Sequence, residues 1–146
     1  MPVEFRYAGE EDLPGILGLL LADEILKERV KSRNYERTWA DILNQPDNAM
    51  VVGVQDGVIV AALQITYIPS LGYGGTWRAQ IESVQVRQDL RGQGVGAQLM
   101  AWAIERARER GCHIMQLTSD LRRVDARRFY ERLGFVASHI GMKLEL

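Results

Sequence analysis

Along the chain the spacing of apolar positions changes from every second residue to every third or fourth and back, and each change marks an element boundary. "VEFRYA", Val3 to Ala8, alternates as a short strand does. From Glu10 to Val30, Leu13, Ile16, Leu17, Leu20 and Ile25 fall at helical spacing, with Asp12 as N-cap and Pro14 in the first turn. A second helix is predicted from about Tyr35 to Leu43, ended by "NQPDN". "AMVVGVQDGVIVAALQITYI" is two β-rich runs around Asp56-Gly57, a dipeptide suited to a tight hairpin because both central residues need positive φ. "PSLGYGG" reads as a loop, followed by a strand from about Trp77 to Val86. Val95, Leu99, Trp102 and Ala103 make one helical stripe that Gly111 stops, and "CHIMQLTS" is a strand. Asp125 can cap a short helix carrying Ala126, Phe129, Tyr130 and Leu133 on one face, with Gly134 at its end. A last strand is predicted from about Phe135 to Leu144. The order βααβββαβαβ, without repeats or linkers, predicts an α+β, or mixed α/β, sandwich around one sheet.

Composition narrows what such a fold can do. With 146 residues, 47% of them hydrophobic, the chain has the size of a single domain, 1–146. Eighteen Lys plus Arg against nineteen Asp plus Glu lack the basic excess of a nucleic-acid binder. No apolar run approaches the roughly 18 residues of a membrane span, and "MPVEFRYAGEED" lacks the basic and apolar regions of a signal peptide. The one cysteine, Cys112, excludes an intrachain disulfide, and with two histidines it makes a poor metal-ligand set. A soluble protein of the reducing cytoplasm, without metal, is expected.

The chemistry concentrates around "VRQDLRGQGVGAQLM", Val86 to Met100. Gly92, Gly94 and Gly96 precede a helix, so backbone N–H groups and the positive helix end can meet a phosphate or pyrophosphate. A tight turn with no ligand is the alternative. "GQGVGA" also fits the dinucleotide fingerprint, with Asp120 at the end of the next strand, but the turn comes late after the strand and too little chain follows for more parallel strands. In the preceding strand the apolar set is odd at Trp77, Ala79 and Ile81 and even at Val84 and Val86. A one-residue β-bulge produces that flip; a strand buried on both faces is the other reading.

"RGQGVG" resembles the glycine loop of the GCN5-related N-acetyltransferase (GNAT) family, with Arg91, Gly94 and Gly96 at the defining positions. "IESVQV" is similar to that family's central strand and "DARRFYERLGF" to its second motif. The second half is most similar to the aminoalkylphosphonate N-acetyltransferase subgroup, in "RFY" and "ASH". The resemblance implies a mostly antiparallel sheet splayed at a bulge, with helices on both faces. It also implies acetyl-CoA as cosubstrate, held by Arg91, Gly92, Gln93, Gly94, Val95, Gly96 and Ala97, by Ser119, and by the backbone of Val84, Gln85 and Val86, on which the pantetheine arm would pair as an added strand.

Glu82 sits at the phase flip, where a carboxylate is either solvent-facing or turned into an apolar cleft; the resemblance favours a general base that deprotonates the acceptor ammonium directly or through water. Tyr130 is either core or, as the matching family tyrosine implies, the acid that meets the departing CoA thiolate. Cys112 beside His113 reads as packing rather than an acyl carrier. Some of Arg122, Arg123, Arg127, Arg128 and Arg132 can bind the 3′-phosphate, although the family often has Asn in place of Arg123. Trp39, Tyr67, Tyr73 and Trp77 can wall an acceptor pocket or belong to the core. The favoured function is acetyl transfer from acetyl-CoA to a primary amine, on a small-molecule acceptor, by direct attack in a ternary complex. A non-catalytic acyl-CoA-binding regulatory module is the runner-up, and a homodimer is a possible assembly.

Overall fold

The computed structural model describes residues 1–29 and 34–146. Alternation gives β1 (Glu4–Tyr7), and the apolar stripe after it gives α1 (Leu13–Leu20). The single helix expected through Val30 stops early, and Val30 itself lies outside the described residues. A separate α2 (Glu24–Glu28) starts at Asp23, whose carboxylate accepts from the Leu26 N–H at 3.0 Å. A capping aspartate competes with helix continuation, which accounts for the break. Asp12 does not cap α1 with its side chain; Arg6 and the Gly9 N–H hold its carboxylate, at 2.6 and 2.7 Å. Asp125 likewise makes no side-chain cap.

The remaining elements are α3 (Tyr35–Leu43), β2 (Asn48–Gln55), β3 (Val58–Ser70), β4 (Thr76–Val86), α4 (Val95–Glu109), β5 (Cys112–Leu117) and α5 (Ala126–Arg132). Asp56 and Gly57 close the β2–β3 hairpin with φ of 51° and 76°, as that turn requires. The sheet runs β1-β2-β3-β4-β5, antiparallel except for the β4–β5 pair. Val51, Leu63, Ile65, Ala79 and Ile81 pack on one face against Val95, Leu99, Met100 and Ala103 of α4. Met50, Val52 and Ala62 pack on the other against Ile16 and Leu19 of α1 and Trp39 of α3. Helices therefore cover both faces of a mixed α+β fold. Each large side chain so buried contributes roughly 1.5–3 kcal/mol.

The phase flip in β4 is a bulge. Glu82 pairs with Gln64, but Gln85 pairs with Ala62, so β4 carries one residue more than β3 over this step. Ser83 takes up the excess with a φ of 54°. Val84 and Val86 thereby return to the α4 face occupied by Ala79 and Ile81. The parallel pairing with β5 runs from Trp77 opposite Cys112 to Ile81 opposite Leu117 and stops there. From Glu82 to Val86 the other edge of β4 has no neighbouring strand among the described residues.

The strand expected from Phe135 to Leu144 does not form: residues 136–146 lie outside any helix or strand. Phe135 joins the α4-side core, but Gly141 passes Thr118, beyond the end of β5, where an added Cβ would lie 3.0 Å from the threonine methyl. A strand exists only against a neighbour, and this path leaves the segment without a partner strand among the described residues.

The bulge makes a testable demand. Ser83→Val puts a β-branched side chain into left-handed backbone and is expected to cost about 1–2 kcal/mol in urea unfolding. Ser83→Gly should match or exceed the wild type. Equal stability of all three proteins would show that the left-handed residue does not hold the bulge.

Candidate active site

Between β4 and α4 the chain turns through Gly92 and Gly94, with φ of 77° and 85°. Gly94 immediately precedes α4, in a conformation that a Cβ disfavours. Its carbonyl accepts the first bond of α4, from Gln98 at 3.0 Å, while among the described residues no backbone carbonyl takes the N–H groups of Gly92, Gln93, Gly94, Val95, Gly96 or Ala97. These open donors surround the positive end of a 15-residue helix, an arrangement that fits an anion. Gly96 also serves packing, since a Cβ there would lie 3.3 Å from the Phe129 ring and 3.6 Å from Val86. Its smallness lets α5 close against the start of α4. Arg91 is tied to the strand end by an Nε bond to the Val86 carbonyl at 3.2 Å, and Gln93 donates to the Asp89 carbonyl at 3.0 Å. Val95 is buried, so only its backbone can serve a ligand.

Above this cradle lies the open edge of β4. Its backbone groups from Glu82 to Val86 can pair with an extended amide-bearing ligand as one more strand. Glu82 is exposed and opposes Gln64 in register. It shares its face with Gln80, to which Gln116 of β5 donates at 2.8 Å, while Gln64 and Thr66 of β3 donate to Asn48 of β2 at 2.9 and 3.3 Å. The carboxylate thus belongs to a polar row crossing four strands, where an apolar cleft was expected. The apolar pocket beside the bulge, about 160 Å³, is lined instead by Ser83 with Leu17, Leu20, Leu21, Leu26 and Tyr35. Sequence reading misses this row, although Arg78, Gln80 and Glu82 alternate visibly with the apolar residues of β4. Arg78 at its end donates to Ser70 Oγ, and its Nε is buried without a partner among the described residues.

Tyr130 lies on the opposite face, packed with the α4-side core and edge-on to Phe129 and Phe135 at centroid distances of 5.1 and 5.8 Å. Burial raises its phenol above the usual tyrosine range, and the nearby Arg123 charge opposes that rise. Glu82 and Tyr130 therefore lie on opposite faces of the sheet. Ser119 is exposed in the connection after β5.

The acetyltransferase (GNAT) family model matches residues 18–135. The chain belongs to the GNAT family. An aminoalkylphosphonate N-acetyltransferase of Salmonella typhimurium is 32% identical over 95% of this chain and 89% of its own length. An L-methionine sulfoximine/L-methionine sulfone acetyltransferase of Pseudomonas aeruginosa is 31% identical over 94% of this chain and 83% of its own. Among solved structures, a Bacillus halodurans C-125 protein described as a transcriptional regulator superposes with a TM-score of 0.94 at 44% identity, covering 99% of this chain and all of its own. A putative acetyltransferase from Agrobacterium tumefaciens gives 0.87 at 28% identity, covering 98% and 99%. The protein is an acyl-CoA-dependent acetyltransferase of mixed α+β fold, from a family whose cosubstrate is acetyl-CoA.

In this GNAT chain the arginine at position 123 is already engaged. Asp23 accepts two bonds from Arg123, at 2.8 and 2.9 Å, and one from Gln85 at 3.4 Å. One carboxylate thus joins the open-edged part of β4 to the connection leading into α5. Arg122 is bound by Asp120 and Glu28, and Arg127 by Glu131. Of the arginine run, Arg128 and Arg132, both exposed and one turn apart, have no carboxylate partner among the described residues. Trp39 is buried core, whereas Tyr67, also largely buried, lines a cavity of about 380 Å³ with Tyr7, Ile42, Asn48 and Arg110; Trp77 packs on the α4-side core, and Tyr73 is exposed. Burial pushes the Cys112 thiol up, which suits packing rather than nucleophilic attack.

The Arg123 guanidinium, aided by the Leu26 N–H and Gln85, holds the Asp23 carboxyl down at about 2 against an ordinary 3.8. A carboxyl depressed by folding stabilises the fold fully above its ordinary value, and the contribution fades as pH falls through the depressed one. Asp23→Asn is expected to cost about 2 kcal/mol near pH 6, with the gap to wild type closing between pH 4 and 2. Urea unfolding across that range checks it; a gap independent of pH would deny the ion pair its role.

Proposed function

We propose that this GNAT enzyme, acting as one domain in the cytoplasm, transfers acetyl from acetyl-CoA to the primary amine of a small molecule that also bears an oxyanion. The attack is direct, within a ternary complex. The observation that carries the reading is the open edge of β4, set between the anion cradle at α4 and the polar face bearing Glu82. Acetyl-CoA supplies an acyl carbon already activated as a thioester. The N–H groups from Gly92 to Ala97 bind its pyrophosphate, with Arg91 and Gln93 shaping the loop and Ser119 adding a polar contact. The Val84–Val86 backbone, with Gln85, aligns the pantetheine arm. Arg128 and Arg132 are the arginines left for the 3′-phosphate.

An amine with an ordinary pKa arrives protonated and cannot attack. Glu82 takes that proton, through water because its carboxylate is exposed. As the nitrogen bonds to the acyl carbon and the carbon–sulfur bond breaks, the electron pair goes to sulfur. Tyr130 steadies that sulfur with a hydrogen bond from its hydroxyl and keeps its own proton, and the proton that the nitrogen sheds as the amide forms passes to the sulfur, so that CoA leaves as its thiol. The acceptor assignment is supported by Arg78, four residues before Glu82 on the same face, whose buried Nε lacks a partner among the described residues. It is also supported by the relatives' named acceptors, aminoalkylphosphonates and methionine sulfoximine, which combine an amine with an oxyanion. The name of the Bacillus halodurans protein points to regulation, but the balanced charge of this chain lacks a nucleic-acid binder's basic excess.

Gly94→Val crowds the left-handed turn and should weaken acetyl-CoA binding at least tenfold by calorimetry. Unchanged affinity in the folded variant would remove the loop from the site.

Glu82→Gln should lower turnover by about 10²- to 10⁴-fold near neutral pH and hardly change acetyl-CoA affinity. The defect should shrink at high pH, where the amine loses its proton unaided, whereas Tyr130→Phe should lower kcat without that recovery. pH–rate profiles with an amine panel including aminoalkylphosphonates check both. A pH-independent loss in Glu82→Gln would sink the base assignment.

A further inference from the structure

The cavity of about 380 Å³ beside Tyr67 plays no part in the chemistry described so far. β1 stops opposite Val51 while β2 begins at Asn48, and the cavity occupies that offset, under the chain that leads from α3 into β2. Arg110, which follows α4, lines it, whereas the anion cradle opens at the other end of that 15-residue helix, about 22 Å away. It is therefore separate from the cosubstrate site. Ile42, Leu43, Pro46 and Met50 form apolar walls, and Tyr7, Tyr67, Gln45, Asn48 and Arg110 bring polar groups. Their hydrogen bonds leave donors over. The Tyr7 and Tyr67 hydroxyls share one bond at 2.7 Å, so one phenolic proton has no acceptor among the described residues. Gln45 Oε1 accepts from Asn48 Nδ2 at 3.3 Å, which leaves the Gln45 NH2 to donate. Arg110 lies over the Tyr67 ring at 4.1 Å, and Asp47 and the Pro46 carbonyl use two of its five N–H groups. No carboxylate lines the cavity among the described residues.

We propose that this cavity binds a small aromatic carboxylate, and that its occupancy is passed through a chain of amides to the strand position opposite Glu82. Three kinds of donor lining one cavity call for a group that only accepts, and a carboxylate is such a group. The walls set the rest of the ligand. A bare inorganic anion would leave them without contact, whereas a ring packs on Met50 and the aliphatic side chains. A cation would meet the Arg110 charge with no carboxylate in the lining to offset it. From the cavity the amides run in one sense: Gln64 Nε2 donates to Asn48 Oδ1 at 2.9 Å, and Asn48 Nδ2 donates to Gln45. A ligand that accepts from the Gln45 NH2 fixes which way round that amide stands, and so fixes Asn48 and Gln64 in turn. Gln64 is the residue opposite Glu82 in register. An effect on turnover rests on the reading of Glu82 as the base; the binding and the relay do not.

Calorimetry of the full chain with cinnamate should show saturable binding, and cinnamamide, which has the same ring without the charge, should bind more weakly by about tenfold. Arg110→Gln removes a partly exposed guanidinium, so the core should survive, as circular dichroism would report. Its affinity for cinnamate should fall by about tenfold while acetyl-CoA affinity holds. Heteronuclear NMR of the wild type, with neither acetyl-CoA nor acceptor present, should show cinnamate shifting the side-chain NH2 signals of Gln45, Asn48 and Gln64. In Asn48→Ala the Gln45 shift should remain and the Gln64 shift disappear. No binding, equal affinity for cinnamamide, or wild-type affinity in Arg110→Gln would each overturn the site, and a Gln64 signal that stays in place would overturn the relay. If either variant fails to fold, the preference for cinnamate and the Gln64 signal of the wild type still decide. Saturating cinnamate should then move the acid limb of the pH–rate profile. A shifted Gln64 signal with an unmoved profile would support the relay and count against Glu82 as the base instead.

Discussion

One extra residue in β4 is the constraint on which the rest of this structure depends. Ser83, in left-handed backbone, shifts the strand by one position against β3, so that Ile81 below it and Val84 above it reach the same core. Without the shift, either Val84 and Val86 or Ala79 and Ile81 would face the wrong side of the sheet, because strand periodicity is two. The bulge lets the α4-side core continue while β4 bends away from β5. A free backbone edge in the middle of a sheet is costly unless something pairs with it, and a cosubstrate arm rich in amides is suited to do so.

The cleft so opened is held by charge rather than by strand pairing. Asp23 begins α2, receives Gln85 from β4 and clamps Arg123 ahead of α5, so three parts of the chain far apart in sequence meet on one carboxylate. The pair is largely shielded from solvent, with 10% of the Asp23 side chain exposed, so it is stronger than a surface ion pair and leaves a buried charge if either partner is lost. Around it, Asp120 bridges Arg29 and Arg122. α2 and the β5–α5 connection, which no strand joins to one another, are thereby fastened across the site.

Much of this is legible in residue order. The hairpin at Asp56-Gly57, the glycine turn into α4 and the phase flip before Val84 each follow from a local rule, φ preference or period, that tertiary contacts do not override. Two local rules fail for the same reason. Residue order points to Asp12 as a cap and passes over Asp23, because both can cap, and the choice turns on distant Arg6 and on the position of Leu26. Trp39 is as plausible a pocket wall as Tyr67, because aromatic side chains suit pockets and cores alike; only packing sends Trp39 into the core and leaves Tyr67 beside a cavity.

The sequence by itself determined most of the elements, the sheet's apolar faces, the glycine turn into α4 and the family, since these depend on spacings of a few residues. Tertiary structure alone decided which polar side chains share a surface. Asn48, Gln64, Gln80 and Gln116 lie on four strands and become one row only through register. It also decided that the last strand-like segment has no place in its own sheet. Alternation specifies which side of a strand is apolar, but a strand forms only where another chain segment offers its hydrogen-bonding edge, and that is a property of the assembled fold.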